Sequence, residues 1–224
     1  IHGYAQFLEE RLGVRIPITE FKGDVHISHK EKRWISQVEE TGFRGRFWIM
    51  MAGGKYDFTA KWWNPEFYQE VVDHFQGRIQ FVQCGEAGHW HPPLKGVINL
   101  IGKTDTRQFV RLMYQADGVV CPVTFAMHLA AAVEMKPGRP KNRACVVIAG
   151  GREPSHWEAY PHHQFIHTGM DMASGTKRID LRGEHVFRVV SGSLGRTHLS
   201  WIRILTESRN GISNDWYAVG MAMQ

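Results

Sequence analysis

A loop rich in glycine and lysine is the first part of the sequence whose residue types could do chemistry. Gly53 and Gly54 follow a short apolar run, and Lys55 and Lys61 lie in the same loop. Glycines let backbone N–H groups approach an anion closely, and lysines add positive charge, so this loop could bind phosphate. The loop lacks the GxxxxGK[ST] pattern of a Walker loop. The alternative is a surface loop with solvated lysines.

Two further segments place polar groups directly after apolar runs. Glu86 follows the run that ends at Cys84, where a carboxylate can accept hydrogen bonds from a ribose. The segment from Thr124 to His128 turns into an alanine-rich helix. Thr124 and the backbone N–H groups of that turn would meet an anion at the helix N-terminus. The alternatives are an exposed or helix-capping carboxylate and an ordinary packed helix.

Motifs for a nucleophile or a metal are absent from the sequence. GxSxG, HExxH and CxxC do not occur. His89 and His91 could share a metal, but the sequence fixes no third ligand, so we expect a solvated pair. The histidines between 156 and 167 are interleaved with Tyr and Pro, and no metal site is predicted there. Three widely spaced cysteines in apolar runs predict buried, reduced thiols of a cytosolic protein.

The loops described above begin where short apolar runs end. Five such runs are typical of buried strands, and helical or turn patterns separate them: 46–52, 78–84, 97–101, 117–122 and 143–149. This alternation predicts a parallel, doubly wound α/β sheet. Ligands bind such sheets at the carboxyl ends of the strands, where the candidate residues lie.

The charge of the chain is concentrated near its C-terminus. The 224 residues carry 27 Lys and Arg against 22 Asp and Glu, a formal net charge of +5. Residues 175–210 contain seven basic and three acidic side chains. Such a segment can contact nucleic acid or an anionic membrane surface, and a solvated surface is the alternative. No RNP, helix-turn-helix or zinc-finger pattern is present, so nucleic-acid binding is not expected.

Three features in register resemble glycosyltransferase family nine, the heptosyltransferase-like enzymes, over roughly residues 45–165. The first is Gly53-Gly54-Lys55 followed by Lys61-Trp62-Trp63-Asn64-Pro65-Glu66. The second is Asn99-Leu100-Ile101-Gly102-Lys103-Thr104, followed by a helix and Ala116-Asp117-Gly118-Val119-Val120. The third is Met127-His128-Leu129-Ala130-Ala131-Ala132. The order and spacing of the three carry the resemblance.

The resemblance implies the nucleotide-sugar-binding half of a two-Rossmann-domain (GT-B) enzyme. It implies Lys61 at the donor diphosphate, Glu86 at the ribose, residues near Lys103 and Thr104 beside the base, and the turn 124–128 at the phosphates. The predicted donor site comprises Gly53, Gly54, Lys55, Lys61, Glu86, Lys103, Thr104, Thr124, Met127 and His128. Where the family usually has Asp-Ser/Thr-Gly, this chain has Val123-Thr124-Phe125, and Phe125 would crowd a phosphate that approaches the backbone.

We therefore expect an α/β fold: a Rossmann-like parallel sheet with flanking helices, followed by an irregular C-terminal extension. Residues 1–45 are predicted to form an N-terminal helical segment, 46–168 the nucleotide-sugar-binding domain, and 169–224 a basic extension of unassigned fold. The N-terminus shows no secretory signal, and no apolar run reaches the roughly 20 residues that a membrane span needs. The expected location is cytoplasmic, with contact of the basic extension at the anionic inner face of the membrane.

The expected activity is metal-independent transfer of a hexosyl or heptosyl group from a nucleotide-diphosphate sugar to a cell-surface glycan or protein. The chain is either such a glycosyltransferase or the donor-binding portion of one. No cofactor besides the donor substrate is expected, and a homo-oligomer is one expected assembly. Asp24 and His26 are candidate catalytic bases. The alternative function is a non-catalytic Rossmann-like module for assembly or binding, consistent with the altered segment Val123-Thr124-Phe125.

Overall fold

The computed structural model describes residues 2–56, 61–149 and 159–166. In chain order the elements are α1 His2–Leu12, α2 His29–Lys32, α3 Gln37–Glu40, β1 Phe47–Met50, α4 Pro65–His74, β2 Gln80–Gln83, β3 Ile98–Asn99, α5 Thr106–Gln115, β4 Gly118–Pro122, α6 Phe125–Ala132, β5 Ala144–Ile148 and β6 Gln164–Ile166. The basic extension predicted at 169–224 lies outside the described residues. Within them, no helix is long and apolar enough to cross a bilayer.

Within the described residues, six strands form one sheet in the order β3-β2-β1-β4-β5-β6, and every neighbouring pair is parallel. The predicted α/β, Rossmann-like fold class is confirmed. All five predicted strands are present. Strand β6 was not predicted, because Gln164–Ile166 is short and only half-buried and so lacks the continuous apolar pattern of a central strand.

Both faces of the sheet are covered, and alternate strand residues serve the two sides. Ile49 and Val119 join a core on one face with α5 and α6, whereas Met50 and Val120 join a second core with α4 on the other face. The central strands β1 and β4 are buried along their full length. This double burial explains why their sequences are continuously apolar rather than alternating.

The second part of the N-terminal segment, residues 28–40, forms two short helices, α2 and α3, rather than one continuous helix. Ser28 and Glu31 form a capping box at the start of α2. A second capping box, Ser36 with Glu39, starts α3, and Ser36 itself has extended backbone angles. An N-cap residue cannot lie inside a continuous helix, so the second box divides the segment.

One ion pair docks this N-terminal segment onto the helix that follows β3. Arg107 in the first turn of α5 donates two hydrogen bonds to the Glu31 carboxylate and one to the His26 carbonyl. Asp105 caps the same helix in a third capping box with Gln108. The first turn of α5 is therefore fixed both by its own cap and by the N-terminal segment.

A buried arginine ties together the ends of two helices. The Arg143 guanidinium is 1% exposed and donates to the carbonyls of Ala116, Ala130, Val133 and Glu134 at 3.0–3.1 Å. These carbonyls lie at or just beyond the C-termini of α5 and α6, where backbone acceptors lack partners within the helix. Burial lowers the pKa of Arg143 to about 10, so the side chain stays cationic at neutral pH.

Replacing Arg143 with Met should lower the free energy of unfolding by about 3 kcal/mol, because buried carbonyls would lose their donors. Guanidinium denaturation measures this change. Arg44→Met, which alters an exposed arginine just before β1, is the control and should cost far less. Equal losses in the two variants would contradict a special role for Arg143.

The ion pair of Glu31 should make stability depend on pH. Hydrogen bonds from Arg107, and then from Ser28, lower the pKa of Glu31 from 4.5 to about 2. Because the folded-state pKa is depressed, the stabilising effect is present above about pH 4.5 and is lost as the pH falls towards about 2. At neutral pH we expect the wild-type chain to have a higher Tm than Glu31→Gln. This difference in Tm should vanish as the pH falls to about 2.

Thermal melts of both proteins over that pH range measure the difference. Gln at this position can still form the capping box, so the comparison isolates the charge. Glu40→Gln, in an exposed carboxylate of α3, is the control. A Tm difference that stays constant down to about pH 2 would contradict the proposed linkage.

Candidate functional site

A cleft of about 850 Å³ opens at the carboxyl edge of the sheet, above β1, β2 and β4. The chain leaves β1 towards β2 on one side and enters β5 from β4 on the other, so β1 and β4 flank the topological switch point. Open α/β sheets bind ligands in the crevice at this point. The cleft is lined by Met51, Gly53, Gly54, Lys55, Lys61, Trp62, Gly85, Glu86, His89, His91, Thr104, Asp105, Thr106, Phe109, Val123, Thr124 and Phe125.

Most residues of the predicted donor site line this one cleft. Seven do so: Gly53, Gly54, Lys55, Lys61, Glu86, Thr104 and Thr124. The other three lie elsewhere. Lys103 is exposed beside the cleft, Met127 is fully buried in the core under α6, and His128 is exposed on α6. The His128 ring shares a hydrogen bond of 2.9 Å between Nδ1 and the Tyr160 hydroxyl.

Positive charge and free backbone donors meet at the start of α6. The Lys61 ammonium donates to the Val123 carbonyl at 3.4 Å, which places its charge beside the helix N-terminus. Thr124 is the N-cap residue, yet its side chain makes no capping hydrogen bond. The uncapped N–H groups of this turn and the positive end of the helix dipole add to the lysine charge. This end of the cleft is suited to an anion.

Aromatic rings also face the cleft beside this anion-binding end. Phe125, the first residue of α6, is 52% exposed, and its ring centroid lies 6.5 Å from that of Phe109 on α5. On the loop after β1, Trp62 stacks on Trp90 with ring centroids 4.2 Å apart and planes within 19°. The cleft therefore combines a cationic end with flat apolar surfaces.

The glycines after β1 are required by the protein's own backbone. Gly53 has a φ of +110°, and a Cβ atom there would lie 2.0 Å from the Trp90 carbonyl oxygen. Gly54 exchanges both backbone hydrogen bonds with Trp90, at 2.9 and 3.0 Å. From the sequence, these glycines indicated a loop that could bind phosphate, with a surface loop as the alternative. Close contact with the Trp90 segment already explains Gly53, whatever the cleft binds.

The segment from Gly85 to Leu94 forms the wall opposite α6, and β2 anchors it. The buried Gln83 side chain donates to the Pro92 carbonyl and accepts from the Leu94 N–H. Glu86 on this segment is 73% exposed at its side chain, and His89 approaches it at 3.6 Å. A carboxylate displayed in this way can accept hydrogen bonds from a ligand hydroxyl.

His91 differs from the solvated residue that the sequence analysis expected. Its Nδ1 lies 3.1 Å from the Ala52 carbonyl, and its ring packs on Gly85, where a Cβ atom would come within 2.4 Å of the His91 ring. Burial lowers the pKa of His91, an effect that the Ala52 hydrogen bond partly offsets. The ring is therefore neutral near neutral pH.

The candidate bases Asp24 and His26 are both exposed, and neither is among the residues that line the cleft. Within residues 2–56, 61–149 and 159–166, no cluster of three or more His, Cys, Asp or Glu could hold a metal ion. His163 is buried and its pKa falls to about 3, chiefly because of burial. Two other histidines of that run, His156 and His167, lie outside the described residues.

Several cleft residues were not predicted to face a ligand, chiefly Trp62, His91, Asp105 and Phe109. Phe125 was expected at the site, as a residue that would crowd a phosphate. Asp105 carried a usable signal, because a capping box after the third strand fixes the start of α5 at the carboxyl edge. The aromatic residues carried none, since apolar side chains in loops and helices are more often buried than exposed to a cleft.

Comparison with known proteins places these features in a family. The family model described as "Glycosyltransferase family 9 (heptosyltransferase)" matches residues 4–137, which is more than half of the chain. No curated protein sequence matches the chain. The resemblance found in the sequence is therefore confirmed by the family model.

Solved structures of low sequence identity share the fold. A family 9 glycosyltransferase from Veillonella parvula is 15% identical with a TM-score of 0.52, over 85% of this chain and 58% of its own. The glycosyltransferase TibC from enterotoxigenic E. coli, described as iron-containing and dodecameric, is 17% identical with a TM-score of 0.52, over 87% and 52%. An E. coli ADP-heptose heptosyltransferase II is 20% identical with a TM-score of 0.49, over 78% and 54%.

This chain thus spans between half and three-fifths of the length of these solved proteins. At such identities the two likenesses with TM-scores above 0.5 show the fold alone, and they agree with the Rossmann-like sheet described above. The family assignment comes from the sequence model, which covers most of α1, all elements from α2 to α6 and the whole cleft. The chain belongs to glycosyltransferase family 9, the heptosyltransferase family.

Proposed function

We propose that the cleft binds a nucleotide-diphosphate sugar and that the chain takes part in transferring the glycosyl group to a glycan or protein acceptor. The observation that carries this proposal is the position of Lys61, whose ammonium lies at the uncapped N-terminus of α6 at the switch point of the sheet. Membership of glycosyltransferase family 9 supports the reaction class.

The charge arrangement fits the demands of glycosyl transfer. The bond between the anomeric carbon and a phosphate oxygen breaks, a bond from the acceptor oxygen to that carbon forms, and negative charge grows on the leaving diphosphate. A lysine and a helix N-terminus that are already in place stabilise this charge without reorganisation. We therefore propose that Lys61 and the Thr124 turn neutralise the leaving group and that no metal ion is needed.

Glu86 faces the same cleft from the β2 side, where its exposed carboxylate would accept hydrogen bonds from the ribose hydroxyls. The acceptor hydroxyl must also lose its proton to a base. Asp24 and His26 stay a prediction for this role, although neither is among the residues that line the cleft. Thr104 would lie beside the base, as the family resemblance implies.

The assembly and location of the protein belong to the same proposal. TibC, with which this chain shares its fold, is described as dodecameric, and we propose that this chain also forms a homo-oligomer. We further propose a cytoplasmic location, with the basic residues of 175–210 at the anionic inner face of the membrane. The enzyme would then meet its glycan or protein acceptor at the membrane surface.

Titration calorimetry with ADP-, GDP- and UDP-sugars in a buffer containing EDTA tests donor binding. We expect saturable binding of at least one of them by the wild-type chain despite the chelator. Lys61→Ala should raise the Kd of that donor about tenfold, because a hydrogen bond between charged groups contributes about 1.5–3 kcal/mol. Lys95→Ala makes the same charge change at an exposed lysine outside the cleft and should leave the Kd unchanged.

No saturable binding of any nucleotide sugar by the wild-type chain would overturn the proposal. The exposed Phe125 at the start of α6 favours one alternative, a non-catalytic assembly module, because its ring occupies space beside the anion-binding end. That alternative predicts a stable oligomer by light scattering, unaffected by Lys61→Ala, together with the absence of donor binding.

A further inference from the structure

The donor cleft has a wall whose position no strand pairing fixes. Glu86 lies on the segment that follows β2, whereas Gly53 and Gly54 lie on the loop that follows β1. The hydrogen-bonded strands β1 and β2 end at Met50 and Gln83, before these loops begin. Gln83 anchors the Glu86 segment to β2, and the Gly102 N–H bonds the Gly85 carbonyl. Contacts between the two loops add to these anchors and set how closely the Glu86 side of the cleft approaches the Lys61 side.

Among the described residues, three contacts join the loops, and one of them depends on a side-chain hydrogen bond. Gly54 pairs with Trp90 through two backbone bonds, and Trp62 stacks on the Trp90 ring. The third contact is the bond from His91 to the Ala52 carbonyl at 3.1 Å. Since a carbonyl oxygen only accepts, His91 Nδ1 must carry the proton and donate it.

The surroundings of the imidazole show that the fold is built around this ring. A Cβ atom on Gly85 would lie 2.4 Å from His91 Cδ2 and 2.5 Å from Nε2, so only glycine leaves room for it. The Nε2 atom has no hydrogen-bond partner among the described residues, and it is shielded from solvent. Protonation there would bury an unsatisfied N–H, which agrees with the lowered pKa of His91.

Glu86 depends on this arrangement because its own contacts are sparse. Its carboxylate is largely exposed, and among the described residues it forms one ion-pair contact, with His89 at 3.6 Å. The backbone of the segment, rather than contacts of the Glu86 side chain, therefore decides where the carboxylate lies. His91 is five residues further along the same segment and fixes it to the loop of Gly53.

We infer that His91 is a positioning residue of the donor site: its Nδ1–H bond to Ala52 holds the Glu86 segment against the Gly53-Gly54 loop. The inference rests on the proposed function for the identity of the ligand. A binding group that is displaced by about 1 Å can lose up to a hundredfold in efficiency, so a loose wall should weaken donor binding.

Two matched substitutions separate the hydrogen bond from the bulk of the ring. In His91→Asn the side-chain Nδ2 takes nearly the place of Nδ1 and can still donate to Ala52. His91→Leu has similar size and no donor. Calorimetry with the nucleotide sugar that the wild-type chain binds should show a Kd raised about tenfold in His91→Leu and within about twofold of wild type in His91→Asn. His29→Leu, at an exposed histidine of α2, is the control and should bind like wild type.

A second measurement needs no ligand. Amide hydrogen exchange, followed by mass spectrometry on the peptide that contains Trp90, reports the bonds between Trp90 and Gly54. We expect faster exchange in His91→Leu and near-wild-type exchange in His91→Asn, with similar Tm values for both variants. A merely structural role would lower the Tm of both and would not be rescued by asparagine.

The inference is overturned if His91→Leu matches the wild-type chain in exchange, or if His91→Asn is as impaired as His91→Leu. If no nucleotide sugar binds the wild-type chain, the proposed function fails, and the exchange measurement still decides whether His91 holds the wall.

Discussion

The parallel pairing of β1 with β4 at the centre of the sheet is the constraint on which the rest of the structure depends. In this pair Trp48 lies opposite Gly118, and a Cβ atom on Gly118 would come within 2.4 Å of the indole. Because Gly118 has no Cβ atom, the two strands can pair while the Trp48 indole packs directly against Gly118. The chain then leaves the pair in opposite directions, and the divergence opens the cleft.

The cleft that results is pre-formed by contacts within the protein. Trp90 pairs with Gly54 on one wall, and Lys61 lies at the start of α6 on the other. Helix α6 is in turn held at its far end by Arg143, which binds carbonyls at the C-termini of α5 and α6. An anion entering the cleft would meet charges and N–H groups that already point to it, which is the arrangement that electrostatic catalysis requires.

The glycines of the loop after β1 lie at the predicted site, but the reason why glycine is required there differs from the predicted one. Gly53 and Gly54 line the cleft, where a phosphate-binding loop was expected. Their immediate neighbours are nevertheless Trp90 and Trp62, and Gly85 accommodates the ring of His91. The spacing of glycines in a loop reports where backbone or side chains approach closely, and the approaching group can be protein as well as ligand.

The sequence by itself determined the elements and the edge of the sheet at which the site lies. Continuous apolar runs marked β1, β2, β4 and β5, since strands buried on both faces carry no alternation. Capping boxes begin α2 and α5, and because their hydrogen bonds are local in sequence, residue types alone can indicate such helix starts. The same local signals placed Lys61, Glu86 and Thr124 after strand ends, and all three line one cleft.

Only the tertiary structure decided which side chains turn towards that cleft. Met127 and His128 are neighbours on α6, yet the first is buried in the core and the second is exposed and bonded to Tyr160. The role of His91 depends on Ala52, which is 39 residues away in the chain. Contacts of this kind arise from the packing of distant loops, and no local pattern of residue types encodes them.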